Sequence, residues 1–174
     1  MLPIPTHLEN ILIPVGTKND GFHVKGTIRC PCGCDRFHIS HYADVSNGFL
    51  QSRECDGGYA LIIKAICTGC GSDHLIFDDS RHGWNGFVCH SDVKTPKADF
   101  GCWKCLKCGG DTHGIVVDIN SQGMQDFIDE AGLAKGKAEF REGDWVNAFD
   151  WITVGLKCCG CGYDIKKWVD YETM

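Results

Sequence analysis

The chain has 174 residues, and 43% hydrophobic with 23% charged residues suits a globular protein of one medium domain or two small ones. A formal charge of -6 argues against a strongly basic nucleic-acid binder, and no apolar run approaches the ~18 residues of a membrane span. Thirteen cysteines imply either a disulfide framework in an oxidising compartment or metal-bound thiolates in a reducing one.

The opening stretch, MLPIPTHLENILIPVGTKND, has no basic head, no unbroken apolar core and no small-residue cleavage pattern, so no secretory signal is expected in it. An odd cysteine count would also strand one thiol in an oxidised framework. The expectation is a cytoplasmic, reduced chain.

In chain order, the first cysteine cluster is CPCGC, Cys30 to Cys34. Segments rich in β-branched or aromatic residues predict strands at His38-Tyr42, Tyr59-Ile66 and Leu75-Phe77, with CTGCG, Cys67 to Gly71, between the last two. The polar stretch SDVKTPKAD, Ser91 to Asp99, predicts a boundary between units 1-91 and 92-174. Next come CWKCLKCGG, Cys102 to Gly110, and a strand at Ile115-Ile119. SQGMQDFIDEAG spaces Met124, Phe127, Ile128 and Ala131 along one helical face, with Ser121 placed to cap the start and Gly132 to stop it. Such a stripe predicts packing on the second unit. Strands at Phe149-Leu156 and Ile165-Val169 flank KCCGCG, Lys157 to Gly162. The fold class expected is mainly β with one short helix, in two tandem units.

The halves echo each other. CGCDRFHI from Cys32 lies over CGGDTHGI from Cys108, and CTGCG from Cys67 over CCGCG from Cys158. The offsets are 76 and 91 residues, so the second copy carries 15 extra residues between its clusters, where the helix is predicted.

Two thiolates two or three residues apart come from one tight turn, and a tetrahedral zinc ion takes a pair from each of two turns. Glycine after the second cysteine can take positive φ and turn backbone amides toward the sulfurs. Cys67-x-x-Cys70-Gly71, Cys105-x-x-Cys108-Gly109 and Cys158-x-x-Cys161-Gly162 fit this rule, and Cys30-Pro-Cys32-Gly33 is one residue shorter. Two closed sites are expected: Cys30, Cys32, Cys67 and Cys70; and Cys105, Cys108, Cys158 and Cys161. The short first turn leaves the choice among Cys30, Cys32 and Cys34 open. Cys34, Cys55, Cys89, Cys102 and Cys159 remain spare and read as small buried hydrophobes. A third site using His82, Cys89 and His90 lacks paired spacing.

On these turns the chain resembles the zinc ribbon family, in which two such knuckles on β-hairpins clamp one zinc under a small antiparallel sheet. The resemblance implies a fold and two structural Zn²⁺ ions. It implies no particular activity.

Three functions compete. Protein contact through loops and edges is the leading one, and Trp103, inside a knuckle, is its expected exposed anchor. Nucleic-acid binding would use Lys104, Lys107, Lys157, Lys166 and Lys167, but two Zn²⁺-tetrathiolate sites would take the net charge from -6 to -10, which repels phosphate. Catalysis lacks a constellation: both expected sites are closed, His38 and His41 should face opposite sides of a strand, and Asp78-Asp79 and Glu142-Asp144 read as solvated turn carboxylates.

Overall fold

The structure, a computed structural model, describes residues 2-16, 21-89, 96-97, 99-135 and 140-174. The described residues form strands β1 (Leu12-Pro14), β2 (His23-Ile28), β3 (Phe37-Tyr42), β4 (Asp44-Ser46), β5 (Phe49-Gln51), β6 (Arg53-Cys55), β7 (Gly58-Ala60), β8 (Ile62-Cys67), β9 (Asp73-Asp78), β10 (Gly101-Cys102), β11 (Thr112-Asn120), β12 (Trp151-Cys158) and β13 (Asp164-Glu172), with one α-helix, α1 (Met124-Lys135). The fold is thus mainly β with one helix. Nine strands make a single curled antiparallel sheet, while β4-β5 and β6-β7 are separate hairpins.

Sheet register follows the two offsets read from the sequence, and the two segments so related are called copies below. Phe37 of β3 pairs with Cys67 of β8, and its counterpart His113 of β11 pairs with Cys158 of β12. Ile66 faces Asp73 across the first knuckle hairpin as Lys157 faces Asp164 across the second, and both hairpins carry a register shift at the same place, after Ile63 and after Val154. The copies meet where Phe37 pairs with His113, its own counterpart, which places a pseudo-two-fold axis at that pair. Each copy also lends a strand to the other. Gly26 of β2 pairs with Val117 of β11, and Gly101 of β10 pairs with His41 of β3.

The halves therefore share one sheet. They also share one apolar interior, drawing on Ile28, Phe37, Ile63 and Phe77 from the first and on Ile115, Val154, Leu156 and Trp168 from the second. The predicted boundary at Ser91-Asp99 falls mostly outside the described residues. At the far side of the curl the Tyr171 hydroxyl donates to Asp79, 3.3 Å away, and the Tyr171 ring packs on Phe77. Thr173 closes this seam by donating to the Phe149 carbonyl while accepting from the Trp84 N-H. A Cβ on Gly83, whose φ is +71°, would lie 2.3 Å from Thr173 Cβ, so only glycine fits.

Several local expectations need correction. Strands β1, β2, β4, β5, β6 and β10 lie where the residue pattern predicts none, and the strand expected at Tyr59-Ile66 divides at Leu61 into β7 and β8; in β2 and β10 a glycine weakens the signal. At Gly26 a Cβ would lie 2.6 Å from the Ile13 carbonyl oxygen, so close strand approach selects the residue that weakens the strand signal. Helix α1 starts at Met124, with the Phe127 N-H donating to Gly123, and Ser121 is buried outside it instead of capping it. Gly132 does not stop the helix, since an interior glycine costs only about 1 kcal/mol against alanine. Of the predicted stripe, Phe127 and Ala131 are buried against Trp84 and Trp145, whereas Met124 and Ile128 are exposed. Asp78 and Asp79 are not solvated. Asp78 accepts from Ser80 and pairs with Arg81, and Asp79 accepts from the Leu61 N-H.

His7 and His82 stack with ring centroids 3.6 Å apart. His7 Nε2 lies 3.1 Å from the Ile76 carbonyl, and His82 Nδ1 accepts from the Asp78 N-H. Burial lowers His7 to about 4 and, with its neighbour's charge, lowers His82 to about 2. Both are neutral in the fold but charge near 6.5 when unfolded, so their contribution is complete above that pH and is lost as pH falls toward 4. Asp79 and Asp150, raised by burial to about 6, act in the opposite sense. His82→Asn, which keeps an acceptor but cannot titrate, should flatten the loss of stability between pH 6.5 and 4 in denaturant melts; an unaltered slope contradicts this role.

Because β2 and β10 cross between the copies, fragments 1-91 and 92-174 should each give collapsed amide NMR spectra alone and fold together when co-expressed. A dispersed spectrum from either fragment alone would show that its copy is self-sufficient.

Candidate metal centres

The knuckles are built by one repeated hydrogen-bond pattern. In three of them the first cysteine N-H donates to the carbonyl five residues on: Cys67 to Ser72, Cys105 to Gly110, Cys158 to Tyr163. The N-H of the following glycine donates back to that cysteine, from Gly71, Gly109 and Gly162, whose φ values are +76°, +73° and +73°. A side chain there would meet open space, so the requirement for glycine is conformational. The first knuckle makes the same closure one residue shorter, with Cys30 donating to Cys34 and Gly33 donating to Cys30.

This geometry gathers eight sulfurs into two groups of four, Cys30, Cys32, Cys67, Cys70 and Cys105, Cys108, Cys158, Cys161, each group lying within 4.8 Å. Nearest pairs are Cys30-Cys70 at 3.5 Å and Cys32-Cys67, Cys105-Cys161 and Cys108-Cys158 at 3.6 Å. These are far beyond a sulfur-sulfur bond of ~2.05 Å and near the ~3.8 Å edge of a tetrahedron with metal-sulfur bonds of ~2.3 Å. The donor set fits two divalent cations of thiophilic character. In each group one cysteine from each knuckle is buried and the other exposed, so the sites lie at the surface with their inner sulfurs in the core.

The row Cys67, Phe37, His113, Cys158 runs across β8, β3, β11 and β12. Its outer members are three strand spacings apart, ~14 Å. The two centres thus flank the axis that relates the copies.

Surroundings differ between the centres. His74 Nε2 lies 3.3 Å from Cys30 Sγ, and Ser72 Oγ lies 3.1 Å from Cys70 Sγ. The Ser72 hydroxyl and amide hold Cys70 down at about 6. At the second centre burial pushes Cys105 up, but the Cys108 and Lys107 amides outweigh it and hold this thiol at about 6. The Cys32 amide pulls Cys30 down, yet burial and the adjacent sulfurs carry it to about 12. Close-packed sulfurs cannot all ionise without a cation, and metal binding would release the remaining protons.

The alternatives among the first cysteines resolve geometrically. Cys34 lies outside the tetrad, with its sulfur 3.5 Å from Thr68 Oγ1 and from the Arg36 carbonyl. Cys159 occupies the position of Thr68 in the other copy, and both donate a backbone N-H across to the neighbouring strand, to Thr112 and Arg36 respectively. The spare cysteines are not the buried hydrophobes expected: Cys34 and Cys55 are half-buried, and Cys89, Cys102 and Cys159 are exposed. His82 stacks on His7, and His90 lies outside the described residues.

Trp103 corrects another expectation. It is only 4% exposed, packed against His41 and Trp168, because its knuckle turns it inward. His41 is buried in the same cluster, while His38 is exposed beside Asp111. The five lysines of the expected patch are all exposed but divide between places: Lys157 borders a groove with Arg36 and Cys159, whereas Lys166 and Lys167 lie on the outer sheet face.

Among the described residues no helix is long and apolar enough to cross a membrane. Compared with protein-family models, curated proteins and solved structures, the chain matches none.

Cys32→Ser and Cys158→Ser should each lose one equivalent of metal by elemental analysis, whereas Cys34→Ser and Cys159→Ser should keep both. Loss of metal from Cys34→Ser would assign the first tetrad wrongly.

Proposed function

We propose that the chain is a tandem zinc-ribbon-like protein that binds two structural Zn²⁺ ions and serves, without catalysis, to contact a protein partner in the cytoplasm. The observation that carries this reading is the closure of each tetrad by four cysteines. A catalytic zinc keeps a coordination position for water or substrate, and four thiolates leave none. Thirteen free thiols suit a reducing compartment. The cation would supply charge neutralisation and cross-linking: Cys32 and Cys70 anchor the exposed side of the first site, Cys30 and Cys67 its buried side.

Structural zinc binds with ~10-16 kcal/mol of apparent free energy, comparable to the ~5-15 kcal/mol that stabilises a whole domain. Native mass spectrometry should therefore give two zinc ions per chain, and their verified removal by chelator should abolish the cooperative melt. Retention of a normal melt without metal would remove the structural role. Affinity purification with nuclease treatment separates the functions: partners that persist support protein contact, and partners that vanish support nucleic acid.

A further inference from the structure

The outer face of the sheet is treated oppositely in the two copies. In the first copy Tyr42, Ala60, Ile62, Leu75 and Phe100 form a small apolar cluster with Cys55. The β6-β7 hairpin covers it, and the Tyr42 hydroxyl donates to the Glu54 carbonyl. Gly26 on β11 and Gly101 on β3 hold equivalent places, an offset of 75 ahead of the first knuckle; with 76 after it and 91 around the second, these five positions correspond to Asp118, Trp151, Thr153, Lys166 and Lys25. All five line one open groove of about 480 Å³. Five apolar positions under a lid have become five polar or aromatic positions without one.

Among the described residues, those that the second copy adds do not cover this groove. Helix α1 and the turn at Trp145 pack instead on Trp84 and Val88. A face sealed in one copy and, among the described residues, left open with changed chemistry in the other is shaped for a ligand.

The chemistry is specific. Lys25 pairs with Asp118 at 3.3 Å where Phe100 packs on Tyr42 in the other copy. His23 Nε2 lies 2.5 Å from the other oxygen pairing partner, Asp118 Oδ1. Asp170 accepts from Trp151 Nε1 at 2.6 Å, from Thr153 at 3.0 Å and from Lys167 at 2.8 Å. Both carboxylates are thus occupied by donors, three lysines outnumber them, and no ion pair ties Lys166 among the described residues. The Asp170 bond fixes the Trp151 indole in place. The other four tryptophans are buried, and Trp151 alone is half-exposed. An adjoining groove of about 410 Å³ shares Lys167 and Asp170 and presents exposed Phe49 beside Asn47 and Gln51.

We propose that this face binds base-phosphate units, a base stacking on Trp151 and the phosphate held by Lys25, Lys166 and Lys167, with Phe49 as the platform for a second base. Aromatic platforms alternating with lysines are the elements by which single strands are held without sequence preference. The same chemistry is met in a free nucleotide and in a single strand, and the overall negative charge requires binding to depend on these local groups. The assignment rests on strand register and the outer face and is independent of which metal the tetrads hold.

Tryptophan fluorescence of the metal-loaded full chain, titrated with oligothymidylate and separately with thymidine monophosphate, reads the site directly. Oligothymidylate should quench the signal, with affinity falling as salt rises. Trp151→Phe should remove most of the quenching, and Lys166→Glu and Lys167→Glu should weaken binding roughly tenfold or more. Lys64→Glu, on the sealed copy's face, should leave it unaltered, and all variants should keep their metal content. Equal affinity for monophosphate assigns the site to a free nucleotide; tighter binding of the oligomer assigns it to a strand. No quenching by either probe at low salt, equal weakening by Lys64→Glu, or quenching by a neutral oligosaccharide without salt dependence would overturn the proposal. Metal analysis of the same samples keeps this outcome separate from the structural role of zinc.

Discussion

Thiolates held 3.5 to 3.6 Å apart repel one another, and neutralising that repulsion is the condition on which the rest of this architecture stands. Each tetrad joins two chain segments distant in sequence, 34 residues apart in the first copy and 49 in the second, counted between their knuckles. A divalent cation at each tetrad would remove the repulsion and close those loops at once. The knuckles also mark where β3, β8, β11 and β12 begin or end, so the two tetrads flank the register at which the copies meet.

Around that constraint the two matching halves exchange strands. β2 of the first copy pairs with β11 and β10 of the second pairs with β3, which joins the copies in one curled sheet with a common interior. A small β unit with frequent glycine buries too little surface to stabilise itself well, and sharing strands enlarges the core without lengthening the chain. Asymmetry enters through what each copy adds. The first adds hairpins, one of which seals its own outer face. The second adds a helix that builds a satellite core and leaves its outer face open.

The centres are alike in their sulfurs and unlike in their second neighbours. His74 and Ser72 lie beside the first, with a fifth thiol, Cys34, close to the turn. In the second copy the corresponding positions hold Ile165, Tyr163 and Gly110, so backbone amides supply more of its hydrogen bonding. Differences of this kind change how strongly a thiolate holds its charge while leaving the ligand set the same.

What the sequence by itself determined is local. The knuckle spacings, their glycines and the residue pattern are short-range covalent facts, and they carried the eight-sulfur grouping, five of the six expected strands and the helix, whereas Tyr59-Ile66 divides between β7 and β8. What only the tertiary structure decided is long-range: that β2 and β10 cross between copies, that Trp103 turns inward while Trp151 is the accessible indole, and that the spare cysteines are not buried. Strand exchange and burial depend on which surfaces meet, and residue type alone does not encode that meeting, since the same glycine that weakens a strand signal at Gly26 is demanded by a neighbour thirteen residues earlier in the chain.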